Sequence, residues 1–146
     1  MKALDSAVQN NIDKWLQGDY DQDTKNVIRQ MLDEEKFDEL TDAFYKDLEF
    51  GTGGLRGIMG IGSNRVNKYT FGIATQGLSN FLHKTYPGQQ LKVAIAHDSR
   101  NNSDKLAKVV ADVFSANDIQ VYFFDGFIIN IPFVKIMIGD VFDYFE

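Results

Sequence analysis

Residues 91–124, LKVAIAHDSRNNSDKLAKVVADVFSANDIQVYFF, decide the fold class. The run 91–96 is short, apolar and β-branched, and a polar cluster closes it, which predicts a buried strand. Over 103–116 the apolar residues Leu106, Val109, Val110 and Val113 return at helical spacing, and Ser103 is placed to cap that helix. A second apolar run follows at 121–124. Strand, helix and strand in that order form a β-α-β unit, so the chain is expected to be an α/β domain with a parallel or mixed sheet flanked by helices.

Working outward, Asn67 can cap a helix running towards Lys84 with Tyr69, Ile73, Leu78, Phe81 and Leu82 inward, and Pro87 with Gly88 marks the turn after it. The first fifty residues read as helices. Leu4, Val8, Ile12, Trp15 and Leu16 share one face until Gly18 and Asp19 end the pattern. Thr24 can cap a second helix carrying Val27, Ile28, Met31 and Leu32, and Phe37, Leu40, Phe44, Tyr45 and Leu48 carry helical spacing on towards position 51. Trp15 is expected as a buried anchor of this segment. In the tail, Lys135, Gly139, Asp143 and Glu146 at helical spacing among apolar residues predict a mostly buried final helix. The expected organisation is a helical extension over 1–50, a core over 51–126 and an apolar tail over 127–146.

Composition bounds the function. The chain has 146 residues, 44% of them hydrophobic and 25% charged, which suits one globular domain and excludes collagen-like and disordered classes. It has no cysteine, so disulfides, thiolate zinc sites and cysteine nucleophiles are excluded. Asp5 and Asp13 interrupt any signal-peptide core, and the apolar run 127–138 contains Lys135 and is shorter than the ~20 residues a span needs, so a cytoplasmic protein without membrane association is expected. The net charge is −6, yet residues 51–110 hold 8 bases against 2 acids. A basic centre in an acidic chain points to a small anionic partner, because the overall charge would repel the extended phosphate backbone of nucleic acid.

The stretch 51–62, GTGGLRGIMGIG, contains six of the twelve glycines. Such a loop can turn several amide N–H groups towards one anion, and Arg56 and Arg65 add forked donors suited to phosphate. Neither a dinucleotide fingerprint nor a P-loop fits, since arginine stands where a third glycine is needed and no Gly-Lys-Ser/Thr follows. A plain structural loop is the alternative. The second candidate, His97-Asp98-Ser99-Arg100-Asn101-Asn102-Ser103, sits at the carboxyl end of the first predicted strand, where ligands bind in open α/β sheets. Its residues serve equally well as turn formers, a helix cap and an Asp98–Arg100 pair. His83 and His97 lie 14 positions apart without carboxylates at ligand spacing, so no metal site is expected, and both read as local hydrogen-bonding residues. The acids of the first fifty residues, Asp33, Glu34, Glu35, Asp38 and Glu39 among them, read as solvated helix faces.

The strings FGTGGLRGIMGIGSNRVNKYT and VAIAHDSRNNS resemble the N-terminal domain of the α-D-phosphohexomutases, in particular the phosphoglucomutase and phosphopentomutase branch, over about residues 10–126. The resemblance implies a domain of a four-domain intramolecular phosphotransferase, an isomerase of carbohydrate metabolism that uses a phosphoserine, Mg²⁺ and a hexose bisphosphate intermediate. It implies that Arg56 stabilises the transferring phosphoryl group, that Thr52, Gly53, Gly54, Arg65 and Arg100 meet phosphate, and that His97 and Asp98 shape the cleft. After Asp125-Gly126 the family continues with a Leu-Arg-Pro-Thr-Pro-like turn and later a Ser-His-Asn-Pro loop, whereas this chain reads FIINIPFVKIMIGDVFDYFE. None of its six serines is followed by His-Asn, so neither a nucleophile nor a metal or sugar loop is expected here, and no cofactor is expected from this chain alone. The expected function is a phosphohexomutase N-terminal domain without turnover of its own. The alternatives are a phosphate or sugar-phosphate binding module, and a homo-oligomer built through residues 127–146.

Overall fold

Asp5 opens the first helix, α1 (Ser6–Gln17), by accepting a hydrogen bond from the amide of Ala7 at 2.8 Å. The computed structural model describes residues 4–51, 54–127 and 134–138. α2 (Gln22–Asp33) is capped by Asp21, whose Oδ1 accepts from the Thr24 amide at 2.7 Å. Thr24 is therefore the donor in that cap, three residues inside the helix, and not the cap itself. α3 (Phe37–Phe44) stops short of Leu48. The helical spacing of Tyr45 and Leu48 misled because groups from a later loop take the carbonyls that a longer helix would have used.

The chain divides into two compact units, Met1–Thr70 and Phe71–Glu146. The first is built on Val8, Ile12, Trp15, Ile28, Leu40, Ala43 and Phe44, all buried. Trp15 is the expected anchor: it stacks on Tyr20 with ring centroids 4.3 Å apart and meets Phe44 and Tyr69 edge-on at 5.6 and 5.7 Å. Two short strands, β1 (Phe50–Gly51) and β2 (Gly54–Leu55), pair antiparallel in the same unit.

The second unit holds a three-stranded sheet in the order β4-β3-β5, from β3 (Lys92–His97), β4 (Gln120–Phe127) and β5 (Val134–Ile138). β3 and β4 run parallel, with Val93 opposite Val121 and Ile95 opposite Phe123, joined by α5 (Ser103–Ala116). This is the predicted β-α-β unit. α5 packs on the sheet and buries Leu106, Ala107, Val110 and Phe114. β5 runs antiparallel to β3, with Val93 opposite Ile138 and His97 opposite Val134, so the sheet is mixed.

The strand β5 corrects the helix predicted in the tail. Three of its five residues are β-branched, and pairing with the buried β3 outweighs the polar spacing that suggested a helix. The rest of the predicted helix lies outside the described residues. α4 (Lys68–Thr85) is the helix expected after Asn67, but Ile73 and Phe81 are exposed, and its buried positions are Thr70, Phe71, Thr75, Ser79 and Leu82. Thr75 and Ser79 can turn inward because each hydroxyl donates to a carbonyl one turn back, Phe71 at 2.7 Å and Thr75 at 2.9 Å, leaving no unpaired donor. Among the described residues no helix is long and apolar enough to cross a membrane.

Candidate functional site

A helix end leaves carbonyls without partners, and at the end of α3 the chain supplies them from elsewhere in the same unit. Asn11 Nδ2 donates to the Phe44 carbonyl at 2.8 Å. Asn64 gives its amide to Ala43 at 2.9 Å and its Nδ2 to Asp42 at 3.0 Å. Ser63 Oγ donates to the Lys46 carbonyl at 2.7 Å, and its own carbonyl accepts from the Leu48 amide at 2.8 Å. The close approach requires Gly62: at φ +135° a Cβ there would stand 2.5 Å from the Ala43 oxygen.

Arg65 completes this seam. Its side chain is 9% exposed, with Nη2 2.6 Å from Asp42 Oδ2 and Nη1 donating to the Asp42 carbonyl at 3.1 Å. Asn67 ties the loop to α4. Its Oδ1 accepts from the amides of Tyr69 and Thr70, while Nδ2 donates to the carbonyls of Gly60 at 2.9 Å and Gly62 at 3.0 Å. The expected cap is thus also a fastener.

Arg56 differs from Arg65 in every respect. It is exposed just after β2, and among the described residues it has neither an ion pair nor a hydrogen bond. A forked cation left facing solvent on a pinned loop can accept an anion without first giving up a partner. Gly54 belongs to β2, and Thr52 and Gly53 lie outside the described residues.

The second candidate forms at the carboxyl end of β3, in the other unit. Buried Asp98 accepts at Oδ1 from Ser103 Oγ at 2.6 Å and from the Arg100 amide at 3.0 Å, and its Oδ2 lies 3.1 Å from Arg100 Nε. The Arg100 side chain is 66% exposed, so Nε is held while the tip of the guanidinium reaches solvent. Buried His97 has Nδ1 2.9 Å from the Asp98 carbonyl, an acceptor only, which assigns the proton to Nδ1. Ser103 is not the helix cap. Asn102, at φ +65°, takes that position without a side-chain cap bond, because the Ser103 hydroxyl is committed to Asp98. The bond of His83 is not local as expected: its Nε2 lies 2.7 Å from the carbonyl of Asn117, 34 positions along the chain.

Structure therefore gathers Arg65 with Gly60, Gly62 and Asn67 in one unit, and His97, Asp98 and Arg100 with Ser103 in the other. Sequence reasoning missed Asp42. A carboxylate in the last turn of a helix opposes the helix dipole unless a cation answers it, and that was the available signal.

The family described as phosphoglucomutase/phosphomannomutase, alpha/beta/alpha domain I, matches residues 47–144, a stretch that contains the glycine loop, Arg56, the β3 turn and the whole sheet. The chain belongs to this family. Among its relatives are a probable phosphoribomutase of Schizosaccharomyces pombe, 34% identical over 90% of this chain and 22% of the relative, and the human phosphopentomutase, 30% identical over 92% and 23%. A phosphoglucomutase of Staphylococcus epidermidis is 27% identical over 70% of this chain and 18% of its own length. The chain thus spans about a fifth of the length of these phosphomutases. The domain I match runs on through the apolar stretch after Gly126 that read as a departure from the family. No solved structure matches the chain.

Proposed function

We propose that this chain serves as the first domain of a phosphomutase, presenting Arg56 to the phosphoryl group of a hexose or pentose phosphate. The observation that carries the reading is the state of Arg56: exposed, free of partners among the described residues, and set in a loop whose neighbouring arginine is already spent on structure. Charge in phosphoryl transfer spreads over the transferring oxygens, and a fixed guanidinium beside them stabilises the transition state. Removing one such donor typically costs about 10²–10³ in rate. In the other unit, Arg100, held by Asp98 at Nε, is a cation that a phosphate can meet, and His97 and Asp98 shape that turn. Arg65 enters the reading as a support of the loop. In the relatives' class of reaction Mg²⁺ assists the transfer. Among the described residues no three His, Cys, Asp or Glu side chains come together to hold a metal, so no step is assigned to one on this chain.

Turnover is not expected from the chain alone, since none of its serines lies in a Ser-His-Asn loop. The purified protein should not convert glucose 1-phosphate to glucose 6-phosphate or ribose 1-phosphate to ribose 5-phosphate. It should bind glucose 1-phosphate saturably in a calorimeter, and Arg56→Ala should abolish that binding. Turnover that survives removal of contaminating mutase, or binding indifferent to Arg56→Ala, overturns the reading.

A further inference from the structure

Asp42 lies in the last turn of α3, at the negative end of that helix, and Arg65 answers it through the 2.6 Å ion pair and a bond to the carbonyl of the same residue. From Arg65 the restraint passes along the backbone. The Val66 amide donates to the Ile58 carbonyl at 2.8 Å, the Gly60 amide donates to the Val66 carbonyl at 3.2 Å, and Met59 bridges Val66. Side-chain packing adds a second hold, for a Cβ built at Gly57 would lie 2.8 Å from Leu48 Cδ1 and 3.5 Å from Val66 Cγ2. Ile58 and Gly57 are the two residues that follow Arg56.

We infer that Asp42 is a positioning residue for Arg56: acting through Arg65 and Val66, it fixes the backbone from which the exposed guanidinium is offered to a sugar phosphate. Asp42 need not touch the ligand. Its carboxylate keeps Arg65 from turning outward, and a buried Arg65 keeps Val66 in register with Ile58 and Gly60. The ligand half of this inference rests on the role proposed for Arg56, and the backbone half stands without it.

The test uses the full chain labelled with ¹⁵N. Without ligand, the amides of Arg56, Gly57 and Ile58 should show order parameters near about 0.85, falling below about 0.6 in Asp42→Ala and Asp42→Asn while α1 and α3 keep theirs. Asp42→Asn preserves the side-chain shape and the backbone carbonyl, so it decides the matter if Asp42→Ala does not fold. Asp42→Glu keeps the carboxylate and should restore the order. Calorimetry with glucose 1-phosphate reads the second half: Asp42→Asn should weaken binding about tenfold, and Asp42→Glu should recover most of it. Unchanged order at 56–58, or disorder there with unchanged affinity, overturns the inference. A wild-type chain that binds no glucose 1-phosphate overturns the proposed function instead, and the order parameters then decide the positioning by themselves.

Discussion

The hydroxyl of Ser103, fully buried at the start of α5, donates at 2.6 Å to Oδ1 of Asp98 five residues earlier. The bond joins the end of β3 to the helix that follows. Ser103→Ala removes one donor from a buried carboxylate and should cost about 1–3 kcal/mol in urea unfolding, with the Arg100 side chain losing its fixed partner geometry. A loss below about 0.5 kcal/mol would show that Asp98 is satisfied without it.

Two glycines separate backbone necessity from habit. Gly62→Ala places a methyl group against the Ala43 carbonyl at a φ that alanine avoids, and should destabilise the chain by about 2–4 kcal/mol. Gly77 lies inside α4 with nothing within 4 Å of a built Cβ, so Gly77→Ala should stabilise by about 0.5–1 kcal/mol. Thermal midpoints moving in the same direction for both variants would refute the contrast.

Acid should weaken the first unit through Asp21. The bond from Lys68 holds its carboxyl well below the usual carboxylate range, with further bonds from the Tyr69 hydroxyl and the Thr24 amide. A folded-state pKa lower than the unfolded one means that the stabilisation is complete above the unfolded value of about 3.9 and drains away as the pH falls beneath it. Asp21→Asn keeps the helix cap and loses the charge. The gap in melting temperature between wild type and variant should be widest above about pH 5 and narrow steadily towards pH 2. A gap independent of pH would mean that the ionised carboxylate contributes nothing.

β5 occupies one whole side of β3. Deleting residues 128–146 should therefore lower the melting temperature and raise the mass in light scattering, because an opened strand edge is a template for pairing with other chains. An apolar tail that drives self-association predicts the reverse, a soluble monomer after deletion, so the two outcomes are opposite in sign.

The β-α-β unit was legible because its signals are local. Apolar runs of strand length flank a helix with clear periodicity, and Asn67 and Trp15 took the roles their chemistry suggests. What escaped notice depended on distant partners. The end of α3 is set by Ser63, Asn64 and Arg65, some twenty residues away, and nothing in the spacing of Tyr45 and Leu48 reports them. The inner face of α4 departs from its apolar spacing because hydroxyls that bond their own helix behave as apolar groups, leaving Ile73 and Phe81 outside. At the candidate site, Arg56 and Arg65 look equivalent in sequence. Only the position of Asp42 distinguishes the arginine that holds the loop from the one that faces outward.

The strand order β4-β3-β5 differs from the order of synthesis, and the difference is one of time. β3 gains its parallel neighbour once Phe127 has emerged, but the antiparallel one must await Ile138. A ribosome adding about 5–20 residues per second needs about one second for that step. During it the buried strand β3 has one side filled and one side open. Stalled chains long enough to bring Phe127 but not Ile138 out of the ribosome should differ in sedimentation from those that expose both, with the shorter ones self-associating.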